Sequence, residues 1–333
     1  MQFFSATSAW LGTWIGSWFA VRQELSPSRR NVIRWLSFLL PLFIWCAVSY
    51  VPFIWHPVVH VQNPGDVDYF QEDMLIEKML FNEELANMQL QGKLLPQGYA
   101  ANPIYLPAPH EVAKAFYTAF TTPPVQKDAL WLHQSLWQSI QVIFWGFFIS
   151  SLIGVPLGIL CGTYSVFSRL AEPFIEFFRY LPAPAFGALM VAILGIYDGP
   201  KIAIIVIGTF FQQVLVIANT ARKLDYSLLE AAMTLGTSKF KLLQHVVIPG
   251  ILPDLYRDQR VLLGWAWTYL IVAELIGTST GITWFITQQA RYQHFDNVYA
   301  AIFIIGFIGL SIDLILAWLG KQLFRWDKPA NKD

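Results

Sequence analysis

The stretch Tyr226-Ser-Leu-Leu-Glu230-Ala-Ala-Met-Thr-Leu-Gly236-Thr-Ser-Lys-Phe-Lys-Leu-Leu-Gln-His-Val-Val-Ile-Pro249 carries more information about this chain than any other. Leu228, Leu229, Ala232, Met233, Phe240 and Leu243 fall at helical intervals, while Lys239, Lys241 and Gln244 take other positions. The segment is therefore amphipathic rather than merely polar. Ser227, followed three residues later by Glu230, forms a capping-box pattern that starts a helix. Gly236 ends that helix, Thr237 and Ser238 can start another, and Pro249-Gly250 with Pro253 close the segment. Two short helices joined at a glycine hinge are predicted. Helices of this kind rest on a surface, and the flanking sequence says which.

Of 333 residues, 55% are hydrophobic and only 13% charged. A soluble domain carries about 25% charged residues, so this chain has half the usual means of wetting its surface. Six apolar segments approach the ~20 residues that a bilayer crossing needs. They lie near Val32–Trp55, Gln138–Gly162, Phe174–Ile196, Ile202–Thr220, Val261–Gly277 and Val298–Leu319. Glu176, Arg179 and Leu181-Pro182-Ala183-Pro184 interrupt the third, and a break near Tyr180 is expected. The fold class predicted is an all-α polytopic membrane protein of about six transmembrane helices. With the N-terminus inside, sixteen Lys and Arg fall on inner segments and six on outer ones. That positive-inside bias places both termini in the cytoplasm.

The organisation follows from the spans. Residues 1–31 form a cytoplasmic or interfacial segment, 32–55 the first span, and 56–137 an outer insert. Residues 138–320 form a core of five spans with an inner loop at 221–257, and 321–333 a cytoplasmic tail. In the N-terminal segment Phe3, Phe4, Trp10, Leu11, Trp14 and Trp18 recur at near-helical spacing. They suit an amphipathic helix in the membrane interface, or alternatively a poorly ordered tail. The outer insert carries nine acids against four lysines, and Gln71 to Leu90 reads as a helix within a small folded element.

The inner loop has a recognisable pattern. Glu230-Ala231-Ala232, three residues, Gly236, nine residues, then Val246-Val247-Ile248-Pro249 resembles the EAA loop of bacterial ABC importer permeases. From about Tyr105 to Trp326 the chain is similar to the nitrate, sulfonate, taurine and bicarbonate branch of that family. Matching stretches include Leu106-Pro107-Ala108-Pro109, Gly154-Val155-Pro156-Leu157-Gly158 and Ala273-Glu274-Leu275-Ile276-Gly277 with Thr280-Gly281. The acidic stretch from about Val58 to Asn102 stands outside the resemblance.

The resemblance implies a permease subunit in a bacterial inner membrane, working with two ATP-binding subunits, a second permease subunit (commonly identical) and an extracytoplasmic solute-binding protein. It implies that Glu230, Ala231, Ala232, Gly236 and Pro249 form a coupling helix docked on an ATPase. It also implies a small solute, an anion such as nitrate, a sulfonate, taurine or bicarbonate.

Ionisable and polar residues inside spans are costly and either pair or line a path. Gln212, Gln213 and Glu274 are the pathway candidates. Glu274 can also serve as a gate or packing residue, since a carboxylate repels an anionic solute. Helix N-termini near the broken third span offer an anion a better site. Asp313 suits a structural pair with a nearby Arg or Lys. His56 and His60 lack partners for a metal set, and no metal site is expected. Cys46 and Cys161 read as small buried hydrophobes. Zero formal net charge argues against a nucleic-acid partner. No phosphate-cradling glycine loop occurs, so ATP is expected on a separate polypeptide and this chain is not expected to be an enzyme. The rival class, a membrane-embedded enzyme or sensor, calls for clustered His, Asp or Ser on facing spans, and none is evident.

Overall fold

The computed structural model describes residues 26–51, 53–124, 130–276 and 280–327. The Trp-rich segment ahead of residue 26 and the last six residues lie outside the described residues. The chain divides into two compact units, Met1–Glu111 and Val112–Asp333.

In the first unit, helix α1 spans Pro27–Tyr50 with Pro at its start, where a missing N–H costs nothing. It starts five residues ahead of the expected first span. It also stops earlier than expected, because Val51, which precedes Pro52 in the sequence, is extended at φ −100°, ψ 103°. Next come strands β1 (Val58–Asn63) and β2 (Leu75–Glu77), helix α2 (Lys78–Gln91) and strand β3 (Gln97–Ala101). The strands form one antiparallel sheet in the order β2-β1-β3. Val59 and Val61, two apart on β1, face α2, which presents Phe81, Leu85 and Met88 at helical spacing. Val67, Phe70 and Ile76 complete this small core.

The insert is thus a folded α/β element, and the expected helix from Gln71 is corrected: it begins at Lys78. Asp73 adopts φ +65°, and Leu75 and Ile76 pair with His60 and Val59, so a turn and a strand take up residues 71–77. A short strand leaves only three alternating positions, too few to compete with a helical pattern in a sequence.

Helix α3 spans Pro109–Thr121, and the second unit continues with α4 (Leu132–Thr163), α5 (Ser165–Phe178), α6 (Gly187–Leu194) and α7 (Asp198–Arg222). The α4–α7 contact is the most intimate of the bundle. A Cβ at Gly146, Gly154, Gly158 or Gly162 would meet Ile205, Gln213, Ile217 or Ala221 at 2.5–2.9 Å. Small residues one turn apart let two backbones approach in lipid, where van der Waals packing drives association. The third span is broken as expected, α5 and the 183–194 helical stretch meeting at 84° around the Pro182–Pro184 run.

After α7 come α8 (Tyr226–Thr234) and α9 (Lys239–Leu242), a π turn at Leu243–Val247, α10 (Ile248–Leu275), α11 (Ile282–Arg291) and α12 (Phe295–Leu323). α1, α4, α7 and α12 are long and apolar enough to cross a membrane, and the bent pair makes a fifth crossing if it is one span. The fifth expected span lies on α10, which begins thirteen residues earlier than Val261.

Two expectations about the inner loop are corrected here. Pro249 and Pro253 do not close the segment, and no second short helix stands alone. Residues at the junctions, Leu243, Val247 and Ile248, all keep helical dihedrals, so α9, the π turn and α10 form one rod from Lys239 to Leu275. Its length is about 55 Å at 1.5 Å per residue. A proline ring ordinarily clashes with the carbonyl four residues back; the wider i→i+5 turn immediately before Pro249 relieves that clash.

Candidate functional site

Helix α8 is built by local rules. Its N-cap is Asp225, whose carboxylate accepts the Ser227 N–H at 3.0 Å. The expected capping box from Ser227 is corrected accordingly: Ser227 already lies inside the helix. At the other end Gly236 stands at φ +77°. The Gly236 N–H donates to the Met233 carbonyl at 2.9 Å and the Thr237 N–H to the Ala232 carbonyl at 3.2 Å. That is a Schellman closure, which needs a left-handed residue at its turn. Open space surrounds the Gly236 Cα, so the demand for glycine is conformational, not steric.

One face of α8 is seated and the other is free. Leu229, with Leu224 and Leu243, packs on a cluster of Ile159, Ile217, Ala221, Val247 and Ile251. Glu230, Ala231 and Gly236 are exposed, Ala232 is half-buried, and Pro249 is exposed on the rod. Tyr226, Leu228, Met233, Leu235 and Phe240 are large apolar side chains left exposed beside them. The start of the rod is fastened sideways, Tyr164 Oη donating to the Lys239 carbonyl at 3.0 Å.

Ionic and polar ties ring the base of this segment. Arg222, at the end of α7, pairs with Glu172 on α5 and donates to Ser168 Oγ at 3.1 Å. Thr220 donates to the Asp258 carboxylate, joining α7 to α10. Arg260 on α10 donates to both carboxylate oxygens of Asp313 on α12 at 2.8–3.1 Å, so Asp313 has the structural partner expected of it. Apart from Asp313, these partners were invisible in the sequence. The Asp225 cap, by contrast, had a signal: an Asp one residue ahead of an apolar-periodic run marks a helix start.

The three polar candidates within the bundle occupy different environments. Gln213 is buried: Ser150 Oγ donates to its Oε1 at 2.8 Å, and its Nε2 donates to Ser151 Oγ at 2.8 Å and Gln259 Oε1 at 2.6 Å. Gln212, half-buried, lies about 100° around α7 from that knot. Glu274 is 1% exposed; it accepts from Ser139 Oγ and, at 2.8 Å, from the Thr283 N–H in the first turn of α11. The N-terminal turn of α6, beyond the break, is packed against Ile276, which a Cβ at Gly187 would meet at 2.6 Å. Among the described residues no group of three His, Cys, Asp or Glu is placed to hold a metal ion.

Comparison with known proteins gives a consistent result. Residues 154–325 match the model of the family described as "Binding-protein-dependent transport system inner membrane component". The chain is 29% identical to the taurine transport system permease protein TauC of Escherichia coli over 225 residues, 68% of this chain and 81% of that protein. It is 30% identical to the putative aliphatic sulfonates transport permease protein SsuC of Escherichia coli over 229 residues, 68% of this chain and 82% of that protein. Its fold is similar to a chain of the inward-facing MetNI methionine ABC transporter, with a TM-score of 0.51 and 18% identity, covering 60% of this chain and 98% of that one.

Proposed function

The chain belongs to the family of binding-protein-dependent transport system inner membrane components, and on that premise we propose that it is the membrane-spanning subunit of an ATP-driven importer of a small anion. The observation that carries this reading is the geometry of α8. A short helix offers Glu230, Ala231 and an exposed apolar border on one side, is closed by Gly236, and leads into a 37-residue rod. Small residues on the free face admit close approach of another protein, and the rod carries a displacement at α8 into the bundle. Glu230, Ala231, Ala232, Gly236 and Pro249 form the coupling surface in this proposal.

The partners proposed are two ATP-binding subunits on the inner side, a second permease subunit of the same sequence, and a solute-binding protein outside. ATP acts on the ATP-binding subunits and not on this chain. Both termini are placed in the cytoplasm of a cell with this chain in its inner membrane, by the distribution of Lys and Arg. Alternating access then follows from rigid-body movement of the two bundles. The names of the taurine and sulfonate relatives support a small anion such as a sulfonate among the candidates. Gln212, half-buried and about 100° around α7 from Gln213, is a pathway candidate in this proposal. Gln213 and Glu274 border the pathway through the helices they hold.

The test is reconstitution in proteoliposomes with a co-expressed ATPase and solute-binding protein from the same genome. ATP-dependent uptake of labelled taurine or an alkanesulfonate, requiring the binding protein, is the expected result. Absence of ATP-dependent uptake for taurine, alkanesulfonates, nitrate and bicarbonate alike would overturn the proposal.

A further inference from the structure

Among the described residues the two most deeply buried charged side chains lie together at the end of the rod remote from α8. Lys201 on α7 is 0% exposed and Glu274 on α10 is 1% exposed. Lys201 Nζ donates to Thr280 O at 3.1 Å, Thr280 Oγ1 at 2.9 Å and Asp198 Oδ1 at 3.1 Å. Glu274 accepts from the Thr283 N–H, and Ser139 Oγ donates to Glu274 while accepting the Ile282 N–H at 2.9 Å. The neighbouring α4 residue, Gln138, donates to Thr280 Oγ1 at 3.1 Å and to Asp198. Adjacent α4 residues thus serve the two charged groups, and four helices meet in one polar clasp.

What this clasp holds is the start of α11. The carboxylate of Glu274 lies on the second residue of α11, where unpaired N–H groups and the helix dipole favour a negative charge. Gly281 makes room: it stands at φ +103°, and a Cβ there would lie 2.2 Å from Glu274 Oε1. The spacing Glu274…Gly281-Ile282-Thr283 therefore has one physical cause. Apolar contacts are non-directional and let helices slide, whereas hydrogen bonds to a buried carboxylate fix register. Burying two charges is also a poor way merely to stabilise a bundle, since apolar replacements of equal volume often do as well.

We propose that Glu274 and Lys201 are positioning residues that lock α11 to the far end of the rod, so that displacement of the coupling segment is delivered to α11. The proposal rests on the permease reading for the meaning of that displacement, but the lock itself does not.

The experiment separates the two. In a Cys46→Ser, Cys161→Ala background, spin labels at Gln244→Cys and Arg291→Cys, both exposed positions, report the distance between rod and α11. Wild type should give one narrow distribution, the same without nucleotide and after trapping with ATP and vanadate. Glu274→Ala should broaden it or add a second population, and lower uptake by about tenfold or more while ATP hydrolysis persists. Glu274→Gln, which keeps an acceptor for the Thr283 N–H, should stay narrow. If Glu274→Ala fails to fold, Ser139→Ala and Lys201→Met provide the same reading. A distribution in these variants indistinguishable from wild type would overturn the lock. Wild type without uptake but with the variant-dependent broadening would overturn the permease reading instead.

Discussion

Arg260 grips Asp313 with two of its guanidinium nitrogens, joining the middle of α10 to α12 at 2.8–3.1 Å. A forked guanidinium on a carboxylate fixes both distance and orientation, which a single lysine contact does not. The pair is placed to make α12 follow the rod. A double-mutant cycle with Arg260→Ala and Asp313→Ala, read by thermal unfolding in detergent, should give a coupling energy of about 1 kcal/mol. That is below the ~1.5–3 kcal/mol of a charge-assisted hydrogen bond, because half of the Asp313 side chain is exposed. Additive single effects would show that the two helices are held by other contacts.

Gly236 is constrained by its backbone alone. An L-residue in the left-handed region costs about 1–2 kcal/mol, and a β-branched one more. Gly236→Val should therefore leave the fold intact and disturb the turn between α8 and the rod. The expected outcome is ATP hydrolysis near the wild-type rate with uptake strongly reduced, and Gly236→Asn, which tolerates that region, should retain most uptake. Equal uptake in all three would remove the hinge from the account.

Gln213 holds Ser150, Ser151 and Gln259 together inside the bundle. Gln213→Leu leaves the buried hydroxyl of Ser150 without its acceptor and should cost roughly 1–3 kcal/mol. Gly154→Ala, whose Cβ would lie 2.9 Å from Gln213 Oε1, should disturb the same knot from the α4 side. Thermal unfolding of both variants and of their combination checks this; the combined loss should be smaller than the sum.

The element of residues 58–101 has a core of its own, with Phe81 stacked on Phe70 at 5.9 Å. Phe81→Ala should cost about 3–5 kcal/mol locally, near the whole stability of so small a core. In the full chain, limited trypsin digestion should then cut at Lys78 and Lys93, both exposed, ahead of any site in Val112–Asp333. Unchanged cleavage would show that the element does not depend on this core.

Long apolar helices were legible in the sequence because burial in lipid demands ~20 apolar residues in a row, a signal that little else imitates. The break at Pro182 and the α8 helix were legible because proline and glycine act locally. The sheet was not, since β2 has three residues and β1 pairs with β3 across up to 43 positions of the chain. The rod was misjudged for a related reason. A proline predicts a helix end only when the preceding turn is regular, and the π turn at Leu243–Val247 has no signature of its own. Glu274 was readable as a buried ionisable residue, but its role depends on Thr283 and Ser139, which no periodicity connects.

The central claim is that the free face of α8 docks on a nucleotide-driven partner, and cross-linking tests it most directly. In the background lacking Cys46 and Cys161, Ala231→Cys in membranes containing the co-expressed ATPase should form a cross-link to that ATPase with a short bifunctional reagent, and Arg291→Cys should not. An ATPase that co-purifies yet never cross-links from position 231, or a thiol at 231 reached by an impermeant reagent from outside the cell, would contradict it.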